Sequence, residues 1–157
     1  MKPLEAMKAA FGHCLASAVA AALAYWLARE LLGHPQPVFA AIAAIICLAP
    51  GVADHVKQGL SMMAGVAIGV AVGELALMIP DALWDVRLAL AAFVAMMIAS
   101  SFVATPVAAI QAGASALLVL LLGPKEAGFA RLLDVSIGAA IGLILAFLFF
   151  TVRRRGA

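Results

Sequence analysis

The chain has 157 residues, a formal net charge of +2, and a composition that is 67% hydrophobic and 11% charged, with a mean hydropathy of +1.17. A water-soluble domain of this size cannot hide so much apolar surface, so the bilayer must act as solvent for most of the chain. Cys14 and Cys47 both fall inside apolar runs, which argues against a disulfide framework and against a zinc site.

A helical span takes about 20 apolar residues, with a range of roughly 17 to 25. Segment one covers residues 9–32. Its basic start, Lys2 and Lys8, imitates a secretory signal, but the apolar stretch continues through Tyr25 and Trp26 to Leu32. That is long enough to span, so it reads as a retained first helix. Segment two, residues 38–48, is short and is interrupted by Pro50 and Gly51. It reads as a short, re-entrant or broken helix. Segment three covers residues 56–79, with Asp54 placed as its N-cap. Segments four, five and six cover residues 86–103, 107–122 and 129–152. Thr105-Pro106 leaves almost no loop between segments four and five, which predicts a tight antiparallel hairpin. Backbone groups in hydrocarbon must pair internally, so the predicted fold is all-α, with six transmembrane helices. The alternating segments of a barrel are missing.

A pattern in the first half returns in the second. Pro37-Val38, an apolar run, Pro50, Lys57, then Gly65 and Gly69 parallels Pro106-Val107, an apolar run, Pro124, Arg131, then Gly138 and Gly142. The cation follows the second proline by seven residues in both copies. Three segments per copy is an odd number, so the copies would run in opposite directions as an inverted 3+3 repeat. Copy one is then residues 9–79 and copy two residues 86–152 of a single transmembrane domain, 1–157. Transporters are often built this way, with the binding site near the bilayer midplane.

With six spans, Lys2, Lys8, Lys57, Arg153, Arg154 and Arg155 fall on one side. Arg29, Arg87, Lys125 and Arg131 fall on the other, diluted by Glu30, Asp81, Asp85 and Glu126. The positive-inside rule then places both termini in the cytoplasm. The terminal arginine cluster reads as an anchor and lipid contact, not as a nucleic-acid site.

Gly65, Gly69 and Gly73 form one stripe on segment three, and Gly138 and Gly142 form another on segment six. Such stripes serve close helix packing first, and the width of a pathway second. Arg131 and Asp134 share a face at the start of segment six. The bland reading is an interfacial ion pair that snorkels to headgroups. The functional reading is a guanidinium that attracts a carboxylate through its planar fork of donors. Lys57 occupies the repeat-related place, and Gln111 is a polar residue at membrane depth that could line the path. Glu74 within segment three and Asp134 are candidates for proton coupling, since ionisable groups in a span default to a functional hypothesis. For Glu74 the bland alternative is an interfacial pair with Arg87. Ser100, Ser101 and Thr105 more often bond back to their own helix. His13, His34 and His55 cannot together hold one metal or haem under this topology. With no nucleophile–base pair, phosphate loop or metal cluster, neither an enzyme nor a cofactor is expected.

Four stretches carry a likeness to a known family. They are Leu31-Leu32-Gly33-His34-Pro35 followed by Val38-Phe39-Ala40-Ala41-Ile42, then Leu48-Ala49-Pro50-Gly51, then the Gly65/Gly69 helix, and finally Arg131-Leu132-Leu133-Asp134 leading into Ile137-Gly138-Ala139-Ala140. In order and spacing the chain resembles the membrane domain of the fusaric-acid-resistance and aromatic-acid-exporter superfamily. The resemblance implies an inner-membrane protein with six helices per unit that exports aromatic or other organic acids. Distant relatives include the aluminium-activated malate channels, whose paired units form an anion pathway. The chain departs from the family at Met62 and Val66, where an Arg and a Thr are common. The basic contact is thus missing from the first copy, and Arg131 is the stronger candidate.

The expectation is a transporter of organic anions, aromatic carboxylates foremost, with the lipid bilayer as its medium. Six helices enclose little volume, so a homodimer or higher homo-oligomer is expected. The competing readings are a dimeric anion channel on the same scaffold and a non-transporting membrane scaffold protein.

Overall fold

A computed structural model of the chain describes residues 3–33, 37–49, 54–80 and 84–155. Pro50, Gly51 and His34 lie outside the described residues. Among the described residues, regular structure is entirely helical: α1 (Pro3–Leu32), α2 (Val38–Cys47), α3 (His55–Ala76), α4 (Trp84–Phe102), α5 (Pro106–Leu122), α6 (Pro124–Ala127) and α7 (Phe129–Arg155). The six predicted segments are all present, and α6 is an additional single turn between the fifth and the sixth.

Six spans were expected, and four helical stretches are long and apolar enough to cross a membrane: Ala10–Leu32, His55–Ala76, Trp84–Phe102 and Phe129–Leu148. Two further apolar helices, α2 with 10 residues and α5 with 17, are shorter. At ~1.5 Å rise per residue, α2 reaches ~15 Å, about half of a ~30 Å hydrocarbon core. The second segment is thus a half-length helix.

The chain divides into two compact units, Met1–Gly59 with Asp134–Ala157, and Leu60–Leu133. In the first, α1 packs on α2 through alanines four residues apart. Ala20, Ala24 and Ala28 of α1 meet Ala40, Ala44 and Leu48 at the α2 side, with Ala146 of α7 completing the cluster. Residues at this spacing lie one above another on a helix face, and a methyl is the smallest side chain that still fills the gap. Gly138 and Gly142 bring α7 onto the same short helix. A Cβ at Gly138 would collide with the Ala40 carbonyl, and one at Gly142 would lie 2.7 Å from Cys47 Cβ. Asp54 caps α3 as the sequence predicts, its Oδ1 accepting the Lys57 backbone N–H at 3.0 Å. One residue on, His55 Nδ1 donates to the Cys47 carbonyl at 2.8 Å. That bond fastens the start of α3 to the end of α2.

The second unit repeats the theme. Only Val103, Ala104 and Thr105 separate α4 from α5, and Pro106 occupies the first turn of α5, giving the close hairpin expected. Ala91, Ala95 and Ala99 of α4 cluster with Ala112, Ala116 and Leu120 of α5 and with Ala76 of α3. Gly65, Gly69 and Gly73 bring α3 onto α5, where added Cβ atoms would meet Ala108, then Ala112 with Ser115, then Ala116 with Val119. Arg87 closes the α3–α4 end. Its Nη1 donates to the Ile79 carbonyl at 2.8 Å, and its guanidinium lies 4.6 Å from the centroid of the Trp84 ring. Ser101 bonds back to the Met97 carbonyl of its own helix, as expected for a serine in a membrane helix.

Size is distributed in reverse of a water-soluble core. The fully buried positions are mostly alanine, whereas Phe11, Trp26, Phe93 and Phe102 are exposed, Phe102 by 82%. A bilayer accommodates large apolar side chains, and backbones approach closely where the residues are small.

Two glycine substitutions should therefore have opposite signs. Gly69→Val should destabilise the fold by about 2–3 kcal/mol, because Ala112 backbone and Ser115 Cβ leave no room for the added carbons. Gly12→Ala has nothing within 4 Å of its new Cβ and should stabilise α1 by about 0.5–1 kcal/mol. Reversible unfolding in mixed micelles reads both, and equal effects would contradict the packing described.

Candidate functional site

The polar site is built by α5 and the start of α7. Gln111 and Ser115 are four residues apart on α5, so they share one face. Gly123 ends α5 with φ at 87°, a left-handed conformation open to glycine. The α6 turn follows directly, and α7 begins at Phe129. Arg131 thus emerges in the first turn of α7 and reaches back to α5. Its Nε donates to Ser115 Oγ at 3.1 Å, and its Nη2 donates to Gln111 Oε1 at 3.2 Å. Ser115 spends its own hydrogen on the Gln111 carbonyl, 2.6 Å away, which leaves its oxygen lone pairs for Arg131. Arg131 is 4% exposed, Gln111 8% and Ser115 0%. Burying a guanidinium is costly, and such groups at membrane depth generally serve function.

Of the residues singled out in the sequence, Arg131 and Gln111 come together. Ser115 joins them and was missed. Its signal was its place one turn after Gln111, camouflaged in a run of small residues. Asp134 is buried, one turn further along α7. Glu74 is exposed, with Oε1 close to Gly128 at the α6–α7 turn. Lys57 is exposed in the first turn of α3. The five glycines all lie in tight helix contacts.

The two glycine stripes also fix a register. Gly65 meets the Ala108 carbonyl as Gly138 meets that of Ala40, and Gly69 meets Ala112 and Ser115 as Gly142 meets Ala44 and Cys47. In that register Ser115 matches Cys47, and Gln111 matches Ala43. Arg131, seven residues before Gly138, matches Gln58, seven before Gly65. Counted from the prolines the match for Arg131 is Lys57, and counted from the glycines it is Gln58. Among the described residues, no group of three or more His, Cys, Asp or Glu could hold a metal ion.

Four long apolar helices, alanine inside and large apolar residues outside, define an all-α integral membrane protein. Within that class the sequence is specific. The family model for fusaric acid resistance protein-like proteins matches residues 19–145, and the chain belongs to that family of transporter-like membrane proteins. It is 30% identical over 132 residues to an uncharacterized protein of Corynebacterium glutamicum, covering 82% of this chain and 33% of that protein. It is 30% identical over 139 residues to a protein of Mycobacterium tuberculosis named as a proposed arylamide transporter, covering 85% of this chain and 39% of that one. The same figures hold for its counterpart in Mycobacterium bovis. The chain thus spans 33% to 39% of the length of these relatives. No solved structure matches it.

The site geometry separates two cations by their structural weight. Ser115→Ala removes an acceptor of Arg131 and should cost about 1–3 kcal/mol of stability. Lys57→Ala should leave the unfolding midpoint unchanged, because the capping bond at that position uses the backbone N–H. Denaturant titrations of the two variants in the same micelles test this.

Proposed function

We propose that the chain acts in the inner membrane as a transporter of organic anions, with aromatic carboxylates as the substrate class and Arg131 as the carboxylate contact. The observation that carries this reading is the buried Arg131 guanidinium, held on α5 by Ser115 and Gln111. A planar fork of donors in a low-dielectric surrounding suits a carboxylate. The name of the mycobacterial relatives, arylamide transporter, adds support for an aromatic cargo. Export is the favoured direction. Both termini face the cytoplasm in this reading, on the strength of Lys2, Lys8, Lys57 and the three terminal arginines. The repeated glycine contacts support an inverted 3+3 repeat, with the half-length α2 as its interrupted element. Asp134, buried on α7, is the better candidate for proton coupling, and Glu74 is the second. Lys57, exposed, serves to attract anions toward the entrance. A homodimer is the proposed assembly.

Counterflow of benzoate in proteoliposomes tests the proposal. Arg131→Ala should lower flux at least about tenfold, the scale of one lost charged hydrogen-bond pair. Arg131→Lys should recover only part of it, since an ammonium lacks the fork. Lys57→Ala should slow uptake at low ionic strength and not at high, because steering by an exposed charge is screened. Asp134→Asn should remove the pH dependence of flux. Unchanged benzoate flux in Arg131→Ala would sink the assignment, and large unitary currents would turn the reading to a channel.

A further inference from the structure

The two hydrogen bonds from Arg131 to α5 use one particular edge of the guanidinium. Nε and Nη2 carry the two parallel N–H bonds that form the side-on fork, the edge that grips both oxygens of a carboxylate. In this structure both donors of that fork already point at oxygens, Ser115 Oγ and Gln111 Oε1. The protein thus supplies, from two side chains one helical turn apart, a neutral imitation of a carboxylate.

The imitation is a weak one. Its bonds are 3.1 and 3.2 Å long, whereas a charge-assisted N–H···O bond to a carboxylate runs about 2.7–2.9 Å and is roughly twice as strong as one between neutral groups. Burial widens the difference, because the charge–charge part of the interaction grows as the local dielectric falls. A carboxylate that reaches this edge therefore outcompetes the resident oxygens. Ser115 loses little in the exchange, since its hydroxyl keeps its 2.6 Å bond to the Gln111 carbonyl. The cost of exchange falls on the Gln111 side-chain oxygen.

Building on the anion-transport reading above, we propose that substrate binds Arg131 by ligand exchange. The carboxylate takes over Nε and Nη2 from Ser115 and Gln111, and the same event unfastens the start of α7 from α5. Gln111 is then a stand-in ligand that yields to substrate. It holds the start of α7 on α5 when the site is empty, and binding and the release of that turn become one step. The contrasting reading is a permanent clasp, in which Ser115 and Gln111 hold Arg131 in place for a substrate that binds without displacing them.

The two readings differ in sign. Benzoate binding to the full chain in nanodiscs is measured by calorimetry for the wild type, Arg131→Ala, Gln111→Leu and Ser115→Ala. Under exchange, removing a resident acceptor removes a competitor, so Gln111→Leu and Ser115→Ala should each bind benzoate about tenfold tighter. Benzoate should also shift the Arg131 Nε resonance in nitrogen-labelled wild-type protein. Weaker or unchanged binding in both acceptor variants, with Arg131→Ala still abolishing binding, overturns the exchange and leaves the transport reading standing. Absence of benzoate binding in the wild type, or equal binding in Arg131→Ala, overturns both. Ser115→Ala, nearly isosteric, keeps the test decisive should Gln111→Leu fail to fold.

Discussion

A glycine that faces a backbone carbonyl admits no other residue, and the helix packing within each of the two units rests on that contact. Gly65 and Gly69 lie against the carbonyls of Ala108 and Ala112, and Gly138 lies against that of Ala40. In lipid, no hydrophobic effect drives one apolar helix onto another, so dispersion at short range must do it. Short range requires bare backbone on one side. The alanine clusters follow from the same need, since helices brought this close leave room for a methyl and little more. The large residues are then displaced to the outside, where hydrocarbon receives them at no cost.

The polar site inherits its rigidity from this packing. On α5, one face is pressed by the α3 glycines and another by the α4 alanines. Ser115 belongs to the first contact, because Gly69 faces its Cβ, and it also accepts from Arg131. Its hydroxyl cannot swing away, and the bond to the Gln111 carbonyl fixes its hydrogen. An arginine brought into such a place loses much hydration, and the bonds to Ser115 and Gln111 return part of what is lost.

Much of this was legible in the sequence, for reasons that are local. Six of the seven helices begin or end at or beside a proline, a glycine or the Asp54 cap, and hydrophobicity alone marks their extent. The α4–α5 hairpin is implied by Thr105-Pro106, which leaves no length for anything else. What stayed hidden depends on partners far away in the chain. The glycine stripes announce close approach without saying that α3 chooses α5 and α7 chooses α2. The half-length of α2 was visible as a short run, but its 10 residues belong to a packing surface for α1 and α7, a role no local pattern encodes. Arg131 and Gln111 stood out as polar residues in apolar runs. Ser115 did not, because a serine among alanines and glycines reads as one more small residue.

The one-residue shift between Lys57 and Gln58 has a physical lesson. Lys57 stands out by its charge, as the cation at matching distance from a proline. Distance from a proline is set by loops, whereas distance from a packed glycine is set by a helix that cannot slip without collision. Counted from the packed glycines, the places that match the Arg131 site hold other residues. Where α5 presents Gln111 and Ser115, α2 presents Ala43 and Cys47, and where α7 presents Arg131, α3 presents Gln58. The same close contact supports a polar cluster in one case and an apolar face with a buried thiol in the other. This is possible because the contact is made by backbone and glycine, which are indifferent to the side chains one turn away. A scaffold held together in that manner can carry the Arg131 site beside one glycine stripe and not beside the other.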